Sequence, residues 1–171
     1  EVAKAYIEKL IEKTSQLKIG NGFEEGVKIG PLANEKQLKN VLKYIEFGKE
    51  DGATLAYGGE ALTEGKYEKG YYVQPAIFTN VKVNHRIANE EIFGPVVAVI
   101  EVDSYEEAIQ IANGVEYGLS ASIVTNNLKL ANKFAKEIQA GTVKVNRTTT
   151  GNLINAPFGG LKKSSTSTFR E

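Results

Sequence analysis

Between Val96 and Asn146 the sequence switches repeatedly between strand and helix patterns, and no other feature restricts the fold as much. VVAVIEV is a continuous apolar run of the kind found in strands buried on both faces. Ser104 and Glu107 form a capping box for SYEEAIQIANGV, which stops near Gly114. LSASIVT reads as the next strand. NLKLANKFAKEIQ is amphipathic through Leu128, Ala131, Phe134, Ala135 and Ile138; Gly141 closes it, and TVKVN is the third strand. Two consecutive strand–helix–strand units imply three parallel strands with helices on the sheet faces. The expected class is α/β, a three-layer α/β/α arrangement with a largely parallel sheet.

The rest of the chain is compatible with one domain of that class. VAKAYIEKLIEKTSQL carries Val2, Tyr6, Leu10 and Ala3, Ile7, Ile11 at helical spacing. A second helix is expected from Asn34, which makes a capping box with Gln37, to about Gly52, with Leu38, Val41, Leu42 and Ile45 as its buried stripe. Short β-like runs follow, ATLAY at 53–57 and YYVQPAIF at 71–78, separated by Gly58-Gly59 and a polar loop. After Asn146 comes a long polar loop, a length that is usually functional, disordered or shaped by a partner segment. The opening EVAKAYIEKL lacks Met and is expected to enter partway through a helix of a longer protein.

Charge and cysteine content remove several function classes. Lys plus Arg, 21, equals Asp plus Glu, 21, so no net field steers the chain toward nucleic acid or an anionic membrane. No apolar stretch approaches the ~20 residues of a membrane span. Without Cys there is no disulfide, thiolate metal site or thiol nucleophile in these 171 residues. His85 is the single imidazole, a surface or packed residue rather than a ligand, and no metal is expected. Cytoplasm is the default compartment.

Several motifs carry little. Gly20-Asn21-Gly22 with Gly26 resembles a phosphate loop, but it follows a helix and precedes VKIGPL, whereas a dinucleotide fingerprint lies between a strand and a helix N-terminus. Asn146-Arg147-Thr148 has the form of a glycosylation acceptor with no secretory signal to support it. Ser164 to Thr168 reads as a flexible tail. No nucleophile–base–orienter constellation is present. EEIFGPV, Glu90 to Val96, is different. Pro95 fixes its own φ and restricts Gly94, so the turn holds Glu90, Glu91 and Phe93 in a set orientation at the mouth of a sheet.

At EEIFGPV a resemblance becomes specific. YYVQPAIFTNV, RIANEEIFGPVVAV, ANGVEYGLSASIVT, AGTVKVN and APFGGLKKSS, in unbroken order, resemble the aldehyde dehydrogenase superfamily, and GPL and DGATLAYGG are similar to it as well. The match covers essentially the whole chain. It implies the C-terminal part of a catalytic domain, residues 1–171, with the nucleophilic Cys, the general-base Glu and the NAD or NADP domain upstream and an oligomerisation strand downstream. No catalytic residue then lies in this chain, which alone is expected to be inactive. The whole enzyme would oxidise a small-molecule aldehyde to an acid through a thiohemiacetal, as a homo-oligomer without nucleic-acid or membrane partners.

Residue by residue, the resemblance implies that Glu91 hydrogen-bonds the nicotinamide ribose hydroxyls and that Phe93 lies beside the nicotinamide. The alternative is that Glu91 caps backbone N–H groups and Phe93 is core; Glu90 is read as structural. Phe158 matches an aromatic lining the substrate tunnel, with residues 148–155 as its rim, against ordinary packing as the alternative. Gly159 and Gly160 would let backbone pass closely there. TTTG followed by APFGGLKKSS looks closest to semialdehyde dehydrogenases acting on α-ketoglutaric semialdehyde, although Ser164-Ser165 replaces the common Ser-Gly. Glu91 precedes its strand while the 147–165 loop follows one. They meet only if the loop folds back or the cofactor approaches across a domain interface. Two other readings are a non-catalytic interaction module and a stand-alone nucleotide-binding domain, the latter lacking a phosphate loop after its first strand.

Overall fold

A computed structural model describes residues 2–151 and 155–165. Within the α/β class, the chain divides into two compact units, Glu1–Glu101 and Val102–Glu171. The boundary falls inside the strand–helix alternation, before the last residue of its first apolar run.

In the first unit, α1 (Val2–Ser15) half-buries Ala3, Ile7, Leu10 and Ile11, while Val2 and Tyr6 are exposed. Helix α2 (Glu35–Glu50) begins where the sequence places it, because the Asn34 side chain accepts the Gln37 N–H and satisfies one free donor of the first turn. Its expected stripe is the buried face, with Val41 and Ile45 fully enclosed. Gly48 allows α2 to rest on the sheet, since a β-carbon there would lie 2.8 Å from the Phe78 ring.

The sheet under α2 has the order β1 (Thr54–Tyr57), β4 (Ala76–Thr79), β5 (Val96–Ala98). β4 and β5 are parallel, Ala76 opposite Val96; β1 and β4 are antiparallel, Thr54 opposite Thr79. YYVQPAIF, a single run in the sequence, is two strands. Pro75 has no N–H to continue a ladder, so β3 (Tyr72–Val73) pairs with β2 (Ala61–Leu62), while β4 takes the centre of the larger sheet. Phe78 on β4 is completely buried, worth ~1.5–3 kcal/mol of hydrophobic transfer. VVAVIEV departs from expectation: only Val96–Ala98 are strand, and Val97 is 43% exposed. Val97 lies on a face of the sheet that the described residues leave open, so β5 is not buried on both faces.

A charge cluster joins the end of α2 to α3 (Arg86–Asn89), the turn before EEIFGPV. The Arg86 guanidinium donates to Asp51 from Nε at 3.0 Å and Nη2 at 2.6 Å, reaches Glu50 at 3.0 Å, and stacks 3.6 Å over the Phe47 ring. The Arg86 backbone N–H also donates to Asp51. These bonds hold the Asp51 carboxyl down at about 2, from an ordinary 3.8, with the guanidinium the larger cause. A depressed carboxyl stabilises the fold above its unfolded value and loses that contribution as pH falls through the folded one. Asp51→Asn in the full-length protein is therefore expected to lower Tm at neutral pH, with the gap from wild type closing between about pH 4 and pH 2. A constant gap across that window in a thermal-melt series contradicts the pairing.

In the second unit, α4 (Tyr105–Gly114) is capped by Ser104, which accepts the Glu107 N–H, while the Glu107 carboxylate accepts from Asp103 N–H rather than from Ser104. Strands β7 (Ser120–Ile123) and β8 (Thr142–Val145) are parallel and joined through α5 (Leu128–Glu137), the second of the two expected strand–helix–strand units. The first does not form a parallel pair among the described residues, because β5 takes β4 as its parallel partner. Ala131, Phe134 and Ile138 are buried, but Leu128 is exposed, since α5 starts there. The long polar loop contains an unexpected element: β9 (Leu161–Lys162) pairs antiparallel with β6 (Tyr117–Gly118). Ser164 is part of this arrangement rather than tail, accepting the Gly118 N–H at 3.0 Å; Thr166 to Thr168 lie outside the described residues.

Candidate functional site

The EEIFGPV turn is clamped to α2. Gln37, expected to complete a reciprocal cap with Asn34, instead sends its side-chain amide 55 positions along the chain. It donates to the Ile92 carbonyl at 2.7 Å and to the Phe93 carbonyl at 3.0 Å. Gly94 then lies against the same helix, where a β-carbon would come within 2.4 Å of Val41 Cγ2, a stiff and fully buried side chain. The Val96 N–H donates to the Gly94 carbonyl at 2.8 Å, closing a three-residue turn around Pro95. The Pro95 carbonyl takes the Ala76 N–H at 2.8 Å, where the parallel pairing begins.

This clamp sets the two acids and the ring apart. Glu90 is structural, accepting the Tyr44 hydroxyl at 2.6 Å. Glu91 is exposed and makes no hydrogen bond or ion pair to any described residue, so it caps nothing. Phe93 is 76% exposed rather than core, and its φ of +52° places a bulky residue in the left-handed region, at a cost of ~1–3 kcal/mol. The Gln37 bonds and the Gly94 contact hold it there. The turn exposes a carboxylate with no partner among the described residues and, two positions on, a flat apolar ring. Such a pair fits vicinal hydroxyls next to an aromatic ring, because one carboxylate can accept from both hydroxyls.

Phe158 belongs to the second unit. It is 41% exposed, on the segment that runs into two buried glycines. The close passage expected at Gly159-Gly160 is real, and its counterpart is Gly141, where a β-carbon would fall 1.9 Å from the Gly159 carbonyl oxygen. AGTVKVN and APFGG thus lie backbone to backbone. Lys162 reaches the end of α4 and donates to the Asn113 carbonyl at 2.7 Å and the Val115 carbonyl at 2.9 Å, satisfying carbonyls that the helix leaves open. Of the expected rim, residues 148–151 and 155 are described and 152–154 lie outside the described residues.

The sequence reading missed three side chains that shape these segments. Gln37 was visible only as a cap. Lys144, a lysine inside a strand, donates to the carbonyls of Thr149, Thr150 and Gly151 at 3.3, 2.7 and 2.9 Å. Asn146 takes φ +54° and exchanges two hydrogen bonds with the Thr125 backbone, fixing the direction in which the chain leaves β8.

Fold and turn together define a chain of the α/β class that presents a free carboxylate and an exposed aromatic ring on a rigid bend. The whole of it, residues 1–171, matches the aldehyde dehydrogenase family model, and the chain belongs to that family. It is 52% identical over 164 residues to an alpha-ketoglutaric semialdehyde dehydrogenase of Bacillus subtilis, covering 96% of this chain and 34% of that protein. An alpha-ketoglutarate semialdehyde dehydrogenase of Haloferax volcanii is 44% identical over 171 residues, 100% of this chain and 35% of the relative. Among solved structures, the NAD+ complex of an aldehyde dehydrogenase from Bacillus cereus superposes with a TM-score of 0.88 at 44% identity, over 95% of this chain and 32% of that one. The chain spans about a third of the length of these relatives.

Proposed function

We propose that these residues form the C-terminal part of the catalytic domain of an NAD- or NADP-dependent aldehyde dehydrogenase whose substrate is an oxo-acid semialdehyde. The observation that carries the reading is the clamped turn, which aims an unpartnered Glu91 carboxylate and an exposed Phe93 ring outward from one rigid bend. The semialdehyde as substrate is supported by the two relatives named for it.

The residues present fit the cofactor as a ribose acceptor and a ring platform. When bound, the nicotinamide supplies the acceptor for the hydride that leaves the substrate carbon. Glu91 accepts hydrogen bonds from the two ribose hydroxyls and fixes rotation about the sugar, which orients the ring attached to it. Phe93 packs against that ring and excludes water from one side. Phe158 and the rim from Thr148 shape the entrance for the aldehyde. The attacking thiolate comes from outside these 171 residues, which contain no Cys. That thiolate would add to the aldehyde carbon; oxidation of the adduct would leave a thioester, which water would cleave to the acid and the free thiol. The working enzyme is a cytoplasmic homo-oligomer in this proposal. Among the described residues no helix is long and apolar enough to cross a membrane.

The full-length protein is expected to reduce NAD or NADP with 2,5-dioxopentanoate, one equivalent of acid formed per reduced cofactor. Absence of cofactor reduction with this and with simple aldehydes would falsify the reading. In the same assay Phe158→Ala is expected to raise the kcat/KM of bulky aldehydes relative to short ones, with cofactor affinity nearly intact. Partial exposure keeps the stability loss below the ~3–5 kcal/mol of a fully buried Phe→Ala change. A lower Tm with an unchanged ranking of aldehydes makes Phe158 packing and removes it from the tunnel.

A further inference from the structure

The segment after β8 is pinned on both sides of a cleft and leaves one cation over. Asn146 bends the chain, and the Ser122 hydroxyl donates to the Arg147 carbonyl at 2.6 Å, so the backbone at Arg147 is fixed to β7. Two to four residues on, Lys144 gathers the carbonyls of Thr149 to Gly151. Between these anchors lies a cleft of about 660 Å³, lined by Lys144, Arg147, Thr148 and Thr150 among others, with no Asp or Glu among the described residues of its wall. The Thr148 and Thr150 hydroxyls are 3.2 Å apart. One donates to the other, which leaves the second proton free to point elsewhere.

Two arginines lie among the described residues, and they are used in opposite ways. Arg86 is engaged by Asp51, Glu50 and the Phe47 ring. The Arg147 side chain makes no hydrogen bond, ion pair or ring contact with a described residue. The Lys144 ammonium is bonded only to neutral carbonyls. The wall of the cleft therefore carries two positive charges with no carboxylate among its described residues, and such a surface attracts an anion.

We infer that this cleft is a carboxylate subsite, in which Arg147 takes the acid end of an oxo-acid semialdehyde through its planar pair of N–H donors. Guanidinium and carboxylate match in a two-bond fork, a geometry that an ammonium does not reproduce. A threonine hydroxyl adds a third donor. Lys144 is a positioning residue: it holds the rim and adds positive potential, while its own protons go to the three carbonyls. The inference rests on the proposed semialdehyde oxidation and names the group that would select a charged substrate over an uncharged one.

The test uses the full-length enzyme with 5-oxopentanoate and pentanal, which share a chain length and differ in the carboxylate. In Arg147→Leu the ratio of their kcat/KM values is expected to fall about 10- to 100-fold against the acid, carried by KM, as for loss of a hydrogen bond to a charged group. Arg147→Lys is expected to recover part of the loss. An unchanged ratio overturns the subsite. So does a changed preference between NADP and NAD with the aldehyde ranking intact, since the anion is then the cofactor phosphate. Glutarate binding to the full-length protein, measured by calorimetry, separates the two proposals. If wild type oxidises neither aldehyde, the enzymatic reading fails by itself; a glutarate Kd at least tenfold weaker in Arg147→Leu still supports the subsite, and equal binding overturns it.

Discussion

Glu91→Gln in the full-length protein is expected to reduce cofactor-dependent turnover by one to two decades while aldehyde KM and Tm stay close to wild type. The substitution keeps shape and one acceptor oxygen but replaces the second with an amide donor and removes the charge. Loss of a charge-assisted bond is worth ~1.5–3 kcal/mol, and the loss falls on whichever step needs the ribose held. Stability is expected to be spared because Glu91 has no partner among the described residues. Its neighbour is the control: Glu90 holds the Tyr44 hydroxyl at 2.6 Å, so Glu90→Gln should act on Tm more than on the cofactor. Steady-state and single-turnover kinetics with both nucleotides decide the matter. Unchanged cofactor KM and hydride-transfer rate for Glu91→Gln remove this carboxylate from the site.

Gly141→Ala is expected to be the most damaging single-atom addition in the second unit. The new methyl group would lie 1.9 Å from the Gly159 carbonyl oxygen and 2.9 Å from Gly160 Cα. Both obstacles are backbone, so no side-chain rotation relieves the clash, and β8 or the 159–160 segment must move. Overpacking of this kind costs ~1–3 kcal/mol and sometimes more, and each kcal/mol shifts Tm by about 2–4 °C in a domain of this size. The same displacement carries Phe158 with it, so the ranking of aldehydes should change along with Tm. A Gly141→Ala enzyme with wild-type Tm and ranking contradicts the backbone contact.

The features legible in the sequence are those set within a few residues. Asn34 and Ser104 cap their helices through bonds to residues three positions on. The stripe from Leu38 to Ile45 marks the inner face of α2 because a helix repeats every 3.6 residues. The strand–helix–strand pattern from β7 to β8 and the stiff Gly94-Pro95 turn were visible for the same reason. The ordered motifs from YYVQPAIF to APFGG likewise pointed to the aldehyde dehydrogenase family, to which the chain belongs.

Long-range packing decided the rest. Nothing local in YYVQPAIF distinguishes β3 from β4; their separate partners, β2 and β1, split the run at Pro75. VVAVIEV has the composition of a doubly buried strand, but one face of β5 is left uncovered by the described residues and Val97 is exposed on it. β9 is two residues long and exists because β6 lies opposite it.

By itself the sequence determined the class, the helix starts and the identity of the turn residues, because periodicity, capping and proline stereochemistry act over three or four positions. Only the tertiary structure decided what those residues do. Gln37 became the clamp on Phe93 because the turn lies within hydrogen-bond reach of α2, 55 positions away in the chain. Gly94 and Gly141 became obligatory because Val41 and Gly159 occupy the space a β-carbon would need. Arg86 is spent on a fold contact, while the Arg147 side chain has no partner among the described residues, a difference that two arginines in a sequence do not carry. A side chain's use is set by the groups around it, and those arrive from distant parts of the chain.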